Sequence, residues 1–216
     1  IADPINPAAD LTPAADASLS LTNDFSLRLS GTLIGTGTNS TFLTAGPITL
    51  AGQAAFSLNR SEVDVDTDQD AEADLQAATL DTFALQVSEV GLSVEDVAQL
   101  TVSGSLAVAR VTASDQTSPR FTALRMADVT VTGSLAAAFD VSLSAALSIT
   151  RLDQNHAADG FDRLDWTTAF DFDSDGVPDT IDPGQTLPEP KPLPLDLTSD
   201  LHIRLVGTLS GNGPNS

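Results

Sequence analysis

The sequence predicts an all-β fold made of antiparallel sheets that are built from repeated hairpins. Three observations carry this prediction: apolar and polar residues alternate along several segments, the helix candidates are short (residues 70–78 and 95–98), and one stretch occurs twice. The alternation is clearest over residues 19–33, 48–58 and 129–149. It indicates strands with one buried and one solvated face, as in antiparallel sheets. We expect a sandwich-like arrangement, with a β-solenoid as the alternative.

The composition narrows the classes of partner. The 216 residues include nine Lys and Arg against 30 Asp and Glu, which gives a formal net charge of −21, and there is no Cys. A negative field of this strength repels phosphate backbones and anionic lipids, so we expect cations rather than nucleic acid as partners. We also expect no membrane insertion, since no segment has the roughly 18 consecutive apolar residues of a membrane helix.

A long repeat organises the chain. Residues 19–40 align without gaps on residues 195–216, at an offset of 176 positions and with 13 identities in 22. The identities include Asp24, Arg28 and Asn39, which shared strand composition alone does not explain. We therefore expect a little more than one unit of a tandem array that is cut from a longer polypeptide.

A shorter repeat indicates hairpins. Residues 50–60 and 102–110 each begin with an apolar residue two positions before a Gly and end in Arg, and a third arm leads to Arg151. The return arms open with Phe83, Phe121 and Phe161. We expect each Arg to pair with a loop Asp, and a ladder of ligand-binding Arg residues is the alternative.

Pro-containing segments divide the chain into four parts. We expect a linker at residues 1–16, a β-rich repeat unit at 17–182 and a second linker at 183–194. The second linker holds the string LPEPKPLPL, which favours an extended polyproline-type strut. Residues 195–216 are then either the start of the next repeat or an exchanged strand.

The residue types of a calcium loop occur at residues 171–182. With Asp171 as position 1, carboxylates occupy positions 1, 3, 5, 9 and 12, with Gly at position 6. A calcium ion takes six to eight oxygen ligands, and this spacing supplies them around a sharp turn. Calcium is therefore the predicted cofactor. The predicted ligands are Asp171, Asp173, Asp175, Val177 through its carbonyl, Asp179 and Asp182.

The string DSDGVPDTID in this loop resembles the calcium loops of thrombospondin type 3 repeats and of bacterial surface proteins with similar aspartate-rich repeats. Pro178 at position 8 and Asp182 at position 12 depart from a paired EF-hand, so the resemblance implies a site formed by the loop alone. The repeat, with its FTALR and LTVSGSL phrases, also resembles very long tandem-repeat proteins secreted or displayed by aquatic bacteria. That resemblance implies an extracellular, adhesive or fibre-forming role.

Two weaker acidic clusters accompany this loop. Residues 64–74 place carboxylates at alternate positions but have Gln69 where, counting from Asp64, the turn Gly would stand. Either a second calcium site or an exposed acidic hairpin tip fits this pattern. The third cluster could lend ligands to the 171–182 loop, and its members are Asp153, Asn155, Asp159, Asp162 and Asp165.

No residue pattern indicates catalysis, because His156 and His202 belong to no catalytic or metal motif, so we do not expect an enzyme. The predicted function is a calcium-stabilised structural repeat of a long extracellular adhesive or fibre-forming protein, at the cell surface or secreted. Expected partners are neighbouring repeats or identical subunits, through strand exchange by residues 195–209. The alternative is an extracellular module that binds a carbohydrate or surface ligand through the loops at 61–78 and 112–120.

Overall fold

The computed structural model describes residues 27–35, 40–45, 48–94, 98–135 and 144–212. These residues form eight strands and one short 3-10 helix, Pro183–Thr186. The strands are β1 (Leu27–Ile34), β2 (Thr41–Ala45), β3 (Ile48–Val65), β4 (Leu75–Val94), β5 (Ala98–Thr112), β6 (Phe121–Leu135), β7 (Ser144–Ala157) and β8 (Ile203–Asn212). The prediction of an all-β fold is confirmed. The predicted linker at 1–16 lies outside the described residues.

The strands form one antiparallel sheet in the order β1-β3-β4-β5-β6-β7-β8, and the short β2 pairs with β3 beyond the end of β1. From β3 onward each strand pairs with the next one in the chain, and two of the three predicted hairpins are present, β3–β4 and β5–β6. The third prediction was wrong: the segment that opens with Phe161 forms no strand, and β7 pairs with β8 instead. The described residues contain one sheet and not the two of a sandwich. The helix candidate at 70–78 instead forms a loop and the start of β4, since its apolar residues pack onto the sheet.

Two glycines mark bulges in the long strands. Gly52 in β3 and Gly104 in β5 have φ values of 126° and 146°, and the strand register shifts at both places. A Cβ atom at either glycine would lie 2.7 Å from the Cα atom of Val90 or Val129 on the neighbouring strand. The apolar-x-Gly pattern that occurs in both β3 and β5 therefore marks a β-bulge, at which the backbones of two neighbouring strands approach closely.

One face of the sheet is covered by an irregular layer, which we call the cover segment (residues 164–197). The sheet contributes mainly small side chains to this core, such as Ala84, Ala107 and Ala123. Large apolar side chains of the cover segment fill the space above them, and the most buried are Leu164, Trp166, Phe170, Leu193, Leu195 and Leu197. The small residues let an irregular chain lie close to the sheet.

The Pro-rich segment at 183–194 belongs to this layer. Pro183, Gly184, Leu187 and Leu193 are buried, and the Gly184 carbonyl accepts hydrogen bonds from the Leu187 and Lys191 N–H groups. An extended linker between units was predicted here. The structure packs this segment on the sheet, because each fully buried Leu contributes about 1.5–3 kcal/mol. A role in spacing successive units stays a prediction.

A buried ion pair joins the sheet to the cover segment. Arg125 on β6 donates from Nε to Asp153 on β7 over 2.7 Å, and its Nη2 lies 2.5 Å from Asp196. Arg151 also donates to Asp153. Burial alone would raise the pKa of Asp153, but the hydrogen bonds from Arg125 and Arg151 outweigh it and hold the pKa below its ordinary range.

The opposite face, which we call the apolar face, carries larger side chains. Two rows of directly opposed residues cross seven strands and contain no charged residue. The first row is Leu29, Leu58, Phe83, Val108, Leu124, Gln154 and Ile203. The second row is Gly31, Phe56, Leu85, Leu106, Met126, Leu152 and Leu205. At the two edges, Leu29 and Leu205 are 52% and 62% exposed.

Candidate metal centre

The predicted calcium loop is anchored in the core at both ends. Phe170 and Ile181 are buried, whereas residues 171–178 between them are exposed. The Asp179 N–H donates a hydrogen bond of 2.6 Å to the Phe170 carbonyl and closes the loop at its base. The core therefore fixes where the loop begins and ends.

Three of the predicted ligands lie close together. One carboxylate oxygen from each of Asp171, Asp173 and Asp179 lies within 4.8 Å of the other two. Asp171 also accepts a hydrogen bond of 2.9 Å from the Gly176 N–H, so the chain turns around this carboxylate. Three carboxylates this close repel one another, and a hard cation offsets that repulsion.

The other three predicted ligands are not part of this triplet. Asp175 accepts a hydrogen bond from the Val177 N–H over 2.7 Å. Asp182 caps the 3-10 helix by accepting from Gly184, and it also accepts from Leu193 over 2.8 Å. Val177 lies near the loop tip with a side chain that is 62% exposed. Asp182 therefore has a structural role in holding the cover segment.

The weaker acidic cluster folds like the strong one. In the 66–74 loop, carboxylate oxygens of Asp66, Asp68 and Asp74 lie within 4.8 Å of one another, and they match the triplet at a shift of 105 residues. Four hydrogen bonds from backbone N–H groups to carboxylates match as well. Those of the 66–74 loop are Ala71 to Asp66, Asp70 to Asp68, Glu72 to Asp70 and Thr67 to Asp74. Those of the 171–179 loop are Gly176 to Asp171, Asp175 to Asp173, Val177 to Asp175 and Phe172 to Asp179.

This match places the start of the 66–74 loop at Asp66, two residues later than the count from Asp64. Position 6 is then Ala71 rather than Gln69. Both loops have positive φ at positions 4 and 6, with values of 69° at Gln69 and 67° at Ala71 against 59° at Ser174 and 83° at Gly176. The sequence count missed this because Ala gives no signal for a left-handed conformation, which it adopts only at a cost.

The two acidic loops lie side by side. The Asp66 N–H donates a hydrogen bond of 3.1 Å to the Ala169 carbonyl, just before the 171–179 loop. A cleft of about 420 Å³ runs between the loops, and it is lined by residues of both, including Asp66, Asp171 and Gly176. The arrangement concentrates negative charge at one end of the sheet.

Two carboxylates of the 66–74 loop have pKa values that are shifted in opposite directions. Desolvation and the negative charges of Asp70 and Asp74 raise the pKa of Asp68 above its ordinary value. The hydroxyl and N–H of Thr67 both donate to Asp74, over 2.6 and 2.8 Å, and hold its pKa below its ordinary value. A cation beside Asp68 would lower the pKa of this group again, so protons and metal ions compete for it.

The third acidic cluster has other roles. Asp153 belongs to the buried ion pair, and Asp165 accepts hydrogen bonds from Thr167. Asn155 is fully buried, donates to the Leu164 and Thr198 carbonyls, and accepts from Trp166 Nε1 over 3.1 Å. These residues hold the cover segment on the sheet and lend no ligand to the acidic triplet.

In comparisons with known proteins, no family model matches the sequence, and no curated protein or solved structure matches the chain. Across the described residues, none of the helices has the length and apolar character needed to cross a membrane.

Proposed function

We propose that this protein is a calcium-stabilised structural repeat of a long extracellular adhesive or fibre-forming protein. The observation that supports it best is the pair of acidic loops, which share one backbone conformation and each hold three carboxylates within 4.8 Å. Oxygen donors at this spacing suit a hard divalent cation. The ligands proposed for the first ion are those predicted in the 171–182 loop, and the 66–74 loop is the second candidate.

Calcium would act here on stability and order. An ion among Asp171, Asp173 and Asp179 offsets their repulsion and ties the exposed turn to its two core anchors, Phe170 and Ile181. Calcium sites of extracellular modules typically have dissociation constants of about 10⁻⁴–10⁻³ M. A site filled at ten times its dissociation constant adds about 1.4 kcal/mol to the free energy of unfolding.

The extracellular location and the partners are part of the same proposal. Weak calcium sites are filled where free calcium is in the millimolar range, which is the condition outside cells. The expected partners are neighbouring repeats of the same polypeptide or identical subunits. The repeat at residues 19–40 and 195–216 supports this part of the proposal.

Calcium titration of the full chain tests the proposal. We expect calorimetry to detect binding and the melting temperature to rise with calcium but not with the same concentration of magnesium. Asp173→Asn should weaken both effects, whereas Asp115→Asn, which changes an exposed Asp outside both loops, should leave them unchanged. Melting curves that coincide in calcium and in chelator would contradict the proposal.

The cleft between the acidic loops supports a second candidate, an extracellular module that binds a carbohydrate or surface ligand. Its volume of about 420 Å³ suits a small ligand, and its walls carry carboxylates that can bind hydroxyl groups directly or through calcium. A glycan array probed with and without calcium separates this function from that of a structural repeat, which should bind no glycan in either condition.

A further inference from the structure

The two edge strands of the sheet carry the two copies of the sequence repeat. β1 begins LRLSGTLI and β8 begins IRLVGTLS, and five of these eight positions are identical at the offset of 176 residues. β1 pairs with β3 at one end of the sheet, and β8 pairs with β7 at the other. The same strand sequence therefore forms an edge beside two different neighbours.

Both copies present the same side chains to the same face. Leu29 lies on the apolar face beside Leu58, and its counterpart Leu205 lies on that face beside Leu152. Arg204, the counterpart of Arg28, lies one position away and approaches Asp153 on the covered face to 3.9 Å. If the sheet continued beyond β8 with a second repeat, the apolar face and the covered face of one repeat would thus join the same faces of the next.

In the part of the chain that the structure describes, the two copies pair through opposite edges of the strand: β1 pairs through the edge that is unpaired in β8, and β8 pairs through the edge that is unpaired in β1. Among the described residues, only β3 pairs with β1, and only β7 pairs with β8. The apolar side chains of β8 are also the more exposed ones. Ile203, Leu205 and Leu209 are 63%, 62% and 78% exposed, against 43%, 52% and 53% for Leu27, Leu29 and Leu33. If β3 of another copy paired with the open edge of β8, the exposure of these apolar side chains would fall.

Both copies of the strand have glycine at the same position, Gly31 in β1 and Gly207 in β8, and each lies close to an atom of its neighbouring strand. At Gly31, a Cβ atom would lie 3.2 Å from the ring of Phe56 on β3. At Gly207, a Cβ atom would lie 2.4 Å from the Ser148 carbonyl oxygen on β7. One strand that pairs with both β3 and β7 therefore needs glycine here on two separate grounds.

From these observations we propose that β8 is shared between consecutive repeats. It is the last strand of one unit and the first strand of the next, and its open edge binds β3 of the following copy. The proposal rests on the function proposed above and specifies how repeats join: they form one continuous sheet rather than separate domains on a linker. The edge-to-edge hydrogen bonds of a sheet supply the contact.

A chain with one added repeat tests this directly. Because position 40 corresponds to position 216, residues 41–216 can follow Ser216 and keep the repeat in frame. Thr32 pairs with Ala55 in β1 and β3, so the proposal places Thr208 opposite Ala55 of the second copy. The chain contains no Cys, so Thr208→Cys with Ala55→Cys in the second copy introduces a single possible disulfide.

We expect this disulfide to form as completely as the one between Thr32→Cys and Ala55→Cys in the single chain, where the structure shows the pair. A register control combines Thr208→Cys with Ser61→Cys of the second copy, about 20 Å farther along the strand. The proposal is overturned if the test pair stays reduced while the single-chain pair forms. It is equally overturned if the register control forms as readily as the test pair.

Hydrogen exchange on the two-repeat chain without Cys gives a second measurement that needs no substitution. Amides of β8 that face the open edge in the single chain should exchange more slowly in the two-repeat chain, and unchanged rates would overturn the proposal. Both measurements are repeated in calcium and in chelator. A missing cross-link in a chain still stabilised by calcium counts against the shared strand alone, whereas a cross-link in a chain that ignores calcium counts against the calcium function alone.

Discussion

The backbone N–H of Asp66 donates to the carbonyl oxygen of Ala169 over 3.1 Å. This bond joins the first residue of the 66–74 loop to the segment that enters the 171–179 loop, more than 100 residues later. Two acidic clusters far apart in sequence thereby form one charged end of the molecule. A cation bound in either loop changes the electrostatic environment of the other.

The first prediction concerns this coupling. Asp66→Asn removes a charge and one of two accepting oxygens, since Oδ1 accepts from the Asp68 and Gln69 N–H groups and Oδ2 accepts from the Ala71 N–H. The amide oxygen that remains can keep one of these two sets of hydrogen bonds. We expect calorimetry to show one calcium fewer per chain, and the remaining ion no longer faces a second cation bound in the neighbouring loop. Asp115→Asn serves as the matched control. A variant that binds as many ions as the parent chain would show that the 66–74 loop holds none.

The second prediction concerns the left-handed residue at position 6 of each loop. Ala71 has a φ of 67°, which costs a residue with a Cβ roughly 1–2 kcal/mol. Ala71→Gly should therefore raise the free energy of unfolding by about 0.5–1 kcal/mol, after the extra backbone entropy of Gly in the unfolded chain is subtracted. Urea unfolding in chelator measures the change.

The third prediction is the reverse substitution in the other loop. Gly176 has a φ of 83°, and a Cβ built on it meets no atom within 4 Å, so Gly176→Ala tests backbone conformation without a clash. We expect a loss of about 1 kcal/mol in the same urea experiment. If Gly176→Ala and Ala71→Gly change stability in the same direction, the two loops do not share the conformation described above.

The fourth prediction concerns pH. The hydrogen bonds from Arg125 and Arg151 keep the pKa of Asp153 below its ordinary value despite burial. Its contribution is therefore fully present above the unfolded pKa of about 3.9 and disappears as the pH falls through the lower folded value. Asp153→Asn removes one of the two carboxylates that pair with the buried Arg125 and leaves Asp196, so we expect a cost near the lower end of about 3–5 kcal/mol at neutral pH. Unfolding measured from pH 7 down to pH 2 should show this difference shrinking below pH 4. A difference that stays constant would rule out ionised Asp153 as its source.

The fifth prediction concerns Asn155, which holds the cover segment through three hydrogen bonds. Asn155→Ala leaves Trp166 Nε1 and the carbonyls of Leu164 and Thr198 without this partner. The Thr198 carbonyl keeps the Leu201 N–H as a donor, so two buried polar groups are left unpaired. Each costs about 1–3 kcal/mol, so a loss of at least about 2 kcal/mol is expected. Trp166 is the single Trp of the chain, and its fluorescence reports the loosening directly. Gln154→Ala, at the exposed neighbouring position, should change neither stability nor fluorescence.

Much of the sheet could be predicted because alternation follows directly from strand geometry. The pattern over 48–58 lies within β3, while the predicted run over 129–149 includes parts of both β6 and β7. The cover segment could not be predicted in this way. Its leucines alternate with prolines, which favours an extended chain, and only the small residues on the sheet face opposite, such as Ala107 and Ala109, indicate that something packs there.

The candidate site was predicted in part for a similar reason. The spacing of carboxylates around Gly176 identifies the 171–179 loop, because Gly is the residue that favours positive φ. The 66–74 loop has Ala71 at that position, and its register became clear only from backbone angles and hydrogen bonds. The contact between the two loops depends on the path of the cover segment, which no local pattern in either loop contains.

The sharing of one edge strand has a geometric consequence for an array of such repeats. Neighbouring strands in a sheet are rotated by roughly 20–25°, and one repeat would contribute six strands to the continuous sheet. Each repeat would then advance the ribbon by about 29 Å and turn it by about 120–150°. Successive pairs of acidic loops would point about a third of a turn apart. The array would be a twisted ribbon, with the negatively charged loops of successive repeats distributed around its long axis. Such a ribbon would be stiff along its length and would have no preferred side for contact.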